Sequence, residues 1–133
     1  MNYQRVKLGS LERRFTMLLM FTTRCKVHKP MYSVGTRKYM KIEIDQETVD
    51  EVLRTHNKKT FEGGINPLDD NILLVKIPYR YKRVDCQVLG LTPVECLQPG
   101  DEISTTVQFC GAWKSGLYWR FNLIQKIDPP GGS

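Results

Sequence analysis

The stretch that decides the fold is LQPGDEISTTVQFCGAWKSGLYWRFNLIQKI, residues 97–127. Pro99-Gly100-Asp101 is a strong turn signal. Beyond it, residues 105–110 read as one β-arm, 111–116 as a polar, glycine-flanked connection, and 117–127 as the returning arm. Alternation on the second arm turns Leu117, Trp119, Phe121, Leu123 and Ile127 inward. It leaves Tyr118, Arg120, Asn122 and Lys126 outward. An aromatic-rich strand of this period needs a partner sheet or a closed barrel to cover one face.

The same period recurs upstream. Residues 84–89 form a short strand. Before it, Leu73, Val75, Ile77, Tyr79 and Tyr81 share one face while Lys76, Arg80 and Lys82 share the other, and Pro78 calls for a bulge or an edge. Gly63, Gly64, Asn66 and Pro67 mark a loop. Residues 45–57 give one short helix, capped by Asp45 or Thr48 and striped by Val49, Val52 and Leu53. Met40, Ile42 and Ile44 alternate with Tyr39, Lys41 and Glu43 as a strand. Pro30 and Gly35 bracket a loop before it. From residue 16 to 28, Met17, Leu19, Phe21, Thr23, Cys25 and Val27 line one face, with Arg24, Lys26 and His28 on the other. Residues 1–14 read as a basic arm or edge strand, 15–128 as the β-barrel domain, and 129–133 as a flexible tail or linker. Five or six alternating strands and one short helix predict a mainly β, small OB-like barrel. Its interior should hold Leu19, Phe21, Ile42, Val75, Val107, Trp119 and Phe121. Alternation alone does not fix strand order, so a sandwich or jelly roll stays open.

Composition agrees with a chain that folds alone. Of 133 residues, 41% are hydrophobic and 26% charged, ordinary values for a globular domain. The longest strongly apolar run, residues 17–21, is far too short to cross a bilayer, and no secretory leader is visible. Cys25, Cys86, Cys96 and Cys110 lack paired CxxC spacing, which predicts four free thiols and an intracellular setting, cytoplasm or nucleus. Cys25 with His28 would supply only half of a zinc site.

Charge is segregated. The net charge is +6, and up to Lys41 the lone acid is Glu12, while acids gather between Glu43 and Glu51. A basic surface of this kind suits a polyanion, with a merely solvated face as the bland alternative. Sequence-tolerant binding of a single strand needs cations for phosphates and rings for bases. Arg24, Lys26, Tyr39, Lys41, Lys76, Arg80, Lys82, Trp113, Lys114, Tyr118 and Arg120 supply both on outward positions, whereas Tyr79 and Tyr81 fall on the core face. Catalysis is poorly supported: His28 and His56 belong to no nucleophile or metal motif, and no phosphate-cradling glycine loop occurs. Glu43 and Asp45 could hold Mg²⁺ near Lys41, but a solvated acidic strand end is much the simpler reading of the pair. No cofactor is implied.

The turn at Gly100-Asp101, the strand after it, the loop bearing Trp113 and the ending Ile124-Gln125-Lys126-Ile127 resemble the closing hairpin of viral single-stranded DNA-binding proteins of the phage OB-fold type. The resemblance covers roughly a quarter of the chain. It implies a non-enzymatic protein that coats single-stranded DNA during replication or recombination, with replication proteins or further copies of itself as additional partners. Such proteins commonly end in an acidic tail, whereas Asp128 here is followed by prolines, glycines and serine. The competing readings are a barrel that binds protein or RNA, and a metal-dependent nuclease.

Overall fold

The computed structural model describes residues 2–6, 18–57, 66–113 and 116–128. In chain order the elements are β1 (Asn2–Val6), β2 (Leu18–Val34), β3 (Arg37–Glu43), α1 (Gln46–Asn57), β4 (Leu68–Asp69), β5 (Ile72–Ile77), β6 (Tyr79–Arg80), β7 (Arg83–Val84), β8 (Gln87–Leu89), a 3₁₀ turn (Val94–Cys96), β9 (Glu102–Trp113) and β10 (Gly116–Lys126). The fold is mainly β with one helix.

Five strands close a barrel. β3 pairs with β2 and β5, β9 pairs with β2 and β10, and the ring shuts where β10 meets β5 in parallel at Arg120 and Lys76. Closure removes the free edges that an open sheet of this length would present. β1 adds antiparallel to the start of β2, so residues 2–6 are an edge strand, while β8 adds parallel to the end of β10.

β2 makes closure possible because it is long enough to serve two neighbours. Its first part pairs with β9 and its last with β3, and both meet at Lys26. Register shifts between Val27 and Lys29 and between Lys29 and Tyr32 bend it there. Pro30 sits inside this irregular region, where a missing N–H does no harm. The loop expected between Pro30 and Gly35 is therefore strand, and the turn shrinks to Gly35-Thr36, with Gly35 at φ 63°.

Alternation places the core as expected on most strands. Phe21, Cys25 and Val27, then Met40, Ile42 and Ile44, then Leu73, Val75 and Ile77, and Ile103, Val107, Trp119 and Phe121 form one buried cluster. The side chain of Leu19, also expected inside, lies outside the described residues. β10 departs from strict period: a register shift between Phe121 and Leu123 turns Ile124 into the core and leaves Leu123 and Ile127 half-buried. The Thr105 hydroxyl donates to the Leu123 carbonyl beside that shift.

The helix covers the barrel interior. Asp45 caps it, its Oδ1 accepting the Thr48 N–H at 2.8 Å. Val49 and Val52 join the core, but Leu53, expected on the same stripe, is exposed. Thr48 and His56 take its place: Thr48 is hydroxyl-bonded to Thr23 at 3.1 Å, and His56 Nε2 accepts the Trp119 indole N–H at 2.9 Å. Among the described residues no buried side-chain polar atom lacks a partner.

Candidate nucleic-acid interface

The pairings of β2, β3, β5 and β10 set four outward side chains level with one another. Tyr32 lies opposite Tyr39, Tyr39 opposite Lys76, and Lys76 opposite Arg120. Two rings and two cations thus follow one another around the barrel wall. The tyrosine rings are 6.0 Å apart and tilted 35°, and Lys29 Nζ lies 4.1 Å over the Tyr32 ring. Burial and the neighbouring Tyr39 raise the Tyr32 phenol above its usual range, so it stays neutral.

The row runs into a cleft of about 470 Å³ lined by Arg37, Lys76, Pro78, Cys110, Tyr118, Trp119 and Arg120. Trp119 is core and forms its floor. Three cations border the cleft, and the ion pairs among the described residues, Arg24 with Glu102 and Arg54 with Glu51, involve none of them. Cys110 is exposed at the rim, yet the adjacent wall withdraws enough water to raise its thiol, while Arg120 and Lys76 pull it back down. Both cations therefore act on one sulfur. Burial likewise pushes the Cys86 thiol up to about 11, against the pull of Arg120.

A small hairpin starts directly beside the cleft. Pro78 lines the cleft, and β6 and β7 follow, Tyr79 pairing with Val84 and Arg80 with Arg83. The Asp85 N–H closes it on the Pro78 carbonyl at 2.7 Å. Its two-residue turn holds Tyr81 at φ 52° and Lys82 at φ 64°, a left-handed pair that normally calls for Asn-Gly. Such strain in bulky residues gathers at functional sites. Tyr81, expected in the core, is 83% exposed because the break at Pro78 and the turn carry it off the barrel face. Tyr79 is half-buried beneath Lys38, whose Nζ lies 5.0 Å over the ring.

The eleven residues expected to bind are thus divided. Tyr39, Lys76, Tyr118 and Arg120 share the row and cleft, and Arg80 and Lys82 occupy the adjoining hairpin. Lys41 is half-buried, opposite Lys29 and Leu74 on the same wall. Arg24 and Lys26 are elsewhere. Arg24 is level with Ser104, which pairs with Gln125, five residues along β10 from Arg120 and so about 16 Å away. Its guanidinium binds Glu102 at 2.7 Å, and Lys26 faces Glu102 and Glu43 across its two neighbours. The Trp113 side chain and Lys114 lie outside the described residues, although the backbone shows Trp113 paired with Gly116 as the end of a strand, not part of a six-residue connection.

Sequence reasoning missed Arg37 and Tyr32. Tyr32 falls in the stretch read as a loop between Pro30 and Gly35, and Arg37 falls between that loop and the strand read from Tyr39, so only the extension of β2 through Pro30 and the earlier start of β3 reveal their places. Of the carboxylates considered for Mg²⁺, Asp45 caps α1, while Glu43 is exposed with Asn71 Nδ2 3.5 Å from its Oε1. Cys25 is buried and its thiol is raised to about 12 by burial, then by Asp45 and Glu102. His28 is exposed on the other face of β2, which separates the two groups considered for zinc. All four cysteines are free. No helix among the described residues is long and apolar enough to cross a membrane. Neither the family models, nor the curated proteins, nor the solved structures compared with this chain contain a match.

Proposed function

We propose that this barrel binds single-stranded nucleic acid, single-stranded DNA foremost, with little regard to sequence, and that it acts by holding the strand. The observation that carries this reading is the level row Tyr32, Tyr39, Lys76 and Arg120 running into the cleft with Arg37. Phosphates need cations that no carboxylate already neutralises, and bases need flat faces. Row and cleft offer rings, and cations that pair with no carboxylate among the described residues, within the spacing of neighbouring strands, about 4.8 Å. The hairpin's resemblance to phage-type single-stranded DNA-binding proteins supports a role in replication or recombination.

Fluorescence anisotropy with labelled single-stranded and duplex oligonucleotides of equal length, in EDTA, tests the reading. Single strands should bind at least about tenfold more tightly than duplex, across unrelated sequences, with affinity falling as salt rises. Equal, weak binding to both forms would overturn it. Shortening of the oligonucleotide on adding Mg²⁺ would replace it with a nuclease.

A further inference from the structure

The β6–β7 hairpin is a two-stranded ladder separate from the barrel sheet, with Val84 at its base packed against the core, and its composition is unusual for a solvated turn. Between Tyr79 and Val84 every residue is a ring or a cation: Arg80, Tyr81, Lys82 and Arg83, all exposed. Nearby Asp85 is the one acid in the segment, and it forms none of the ion pairs among the described residues. The Arg80 guanidinium lies 5.6 Å from the Tyr81 ring centroid, so one side of the ring has a cation. With 83% of Tyr81 accessible, the remaining surface is open. A left-handed tyrosine at a turn tip is costly, and the turn would be better served by Asn or Gly.

We infer that the hairpin is a second, separate base-binding element, in which Tyr81 stacks one unpaired base against its free face while Lys82 and Arg83 hold the flanking phosphates. This rests on the single-strand reading above, since the hairpin begins at Pro78 on the rim of the cleft and would take up a strand leaving it. Tyr81 lies three residues beyond Pro78, about 10 Å of extended chain. One strand seated in the cleft can therefore reach the ring within a few nucleotides. The occupant is therefore a base of the same strand, recognised by its π-face whatever its identity.

Three variants of the full chain test this against oligothymidylates of about 4 and about 16 nucleotides, the limits of site size for one such barrel. Tyr81→Asn keeps a residue that tolerates the left-handed turn and removes the ring. It should weaken binding of the longer oligomer about 5- to 150-fold and leave the salt slope unchanged. Tyr81→Phe should stay within twofold on both. Tyr81→Trp should lose indole fluorescence on binding the longer oligothymidylate but not an abasic phosphodiester of the same length. If wild type binds single strands and Tyr81→Asn binds the longer oligomer within twofold of it, the hairpin element is refuted while the cleft stands. Equal quenching by the abasic strand would refute stacking. If wild type binds no single strand at all, the underlying reading fails first.

Discussion

At the residue scale, His56 and Trp119 show how a polar group can be specified inside an apolar barrel. Trp119 is 1% exposed, packs its ring at 5.4 Å from Phe21 and 5.2 Å from Phe109, and has a single N–H to satisfy. His56 accepts that N–H at Nε2, which places its own proton on Nδ1. The sequence marks Trp119 as core by alternation, but it offers no sign that the partner is a histidine 63 residues earlier. A lone His at the end of a helical stripe has no local signature. Burial lowers the His56 pKa from 6.5 to about 4. Protonation thus favours the unfolded chain. The stability His56 contributes is complete above about pH 6.5 and is lost as pH falls towards 4, about 2 kcal/mol once water at the ring edge is allowed for. Asp45, whose carboxyl is held below its usual range by hydrogen bonds from Thr48, gives way only at lower pH. Urea midpoints at pH 7 and pH 4.5 check this. The parent should lose stability over that interval, and His56→Gln, which can accept the indole N–H but does not titrate there, should lose markedly less. Equal losses would remove His56 as the cause.

At the element scale, the strands were legible wherever one face is apolar and the period is unbroken. Met40, Ile42 and Ile44 on and just after β3, Leu73, Val75 and Ile77 on β5, and Trp119 and Phe121 on β10 fall as alternation requires. Errors follow irregularities. Ile124 is buried in place of Leu123 because a bulge adds a residue to β10, and a bulge leaves no mark on a hydrophobic pattern. β2 runs through Pro30 because its bend needs no ladder bond there. The β6–β7 turn is the reverse case: Tyr81 and Lys82 read as continued alternation, since no Gly or Asn announces a turn. That makes its cost testable. Replacing Tyr81 and Lys82 together by Asn and Gly should stabilise the protein by about 1 kcal/mol, because those residues accept φ above zero. Chemical denaturation would show it as a higher midpoint at unchanged slope. A lower midpoint would mean that Tyr81 or Lys82 makes a stabilising contact that outweighs the strain.

At the scale of the whole molecule, the basic character of the chain was plain but its arrangement was not. Arg24 and Arg120 look equivalent as outward strand cations, yet closure pairs one with Glu102 and brings the other beside Lys76, 44 positions away along the chain. That parallel meeting of β5 and β10 is the step that both shuts the barrel and creates the cleft, and nothing local in either strand announces it. The central claim is that the cleft holds the phosphates of a single strand. Titrating single-stranded oligonucleotides of several sequences across a salt series, with wild type, Lys76→Ala, Arg120→Ala and the double variant, tests it most directly. Each single change should weaken binding for every sequence and reduce the log–log salt slope by about 0.7, and the double change by about 1.4, while the folded state stays intact. A double variant that is folded and binds single strands with unchanged affinity and slope would contradict the account.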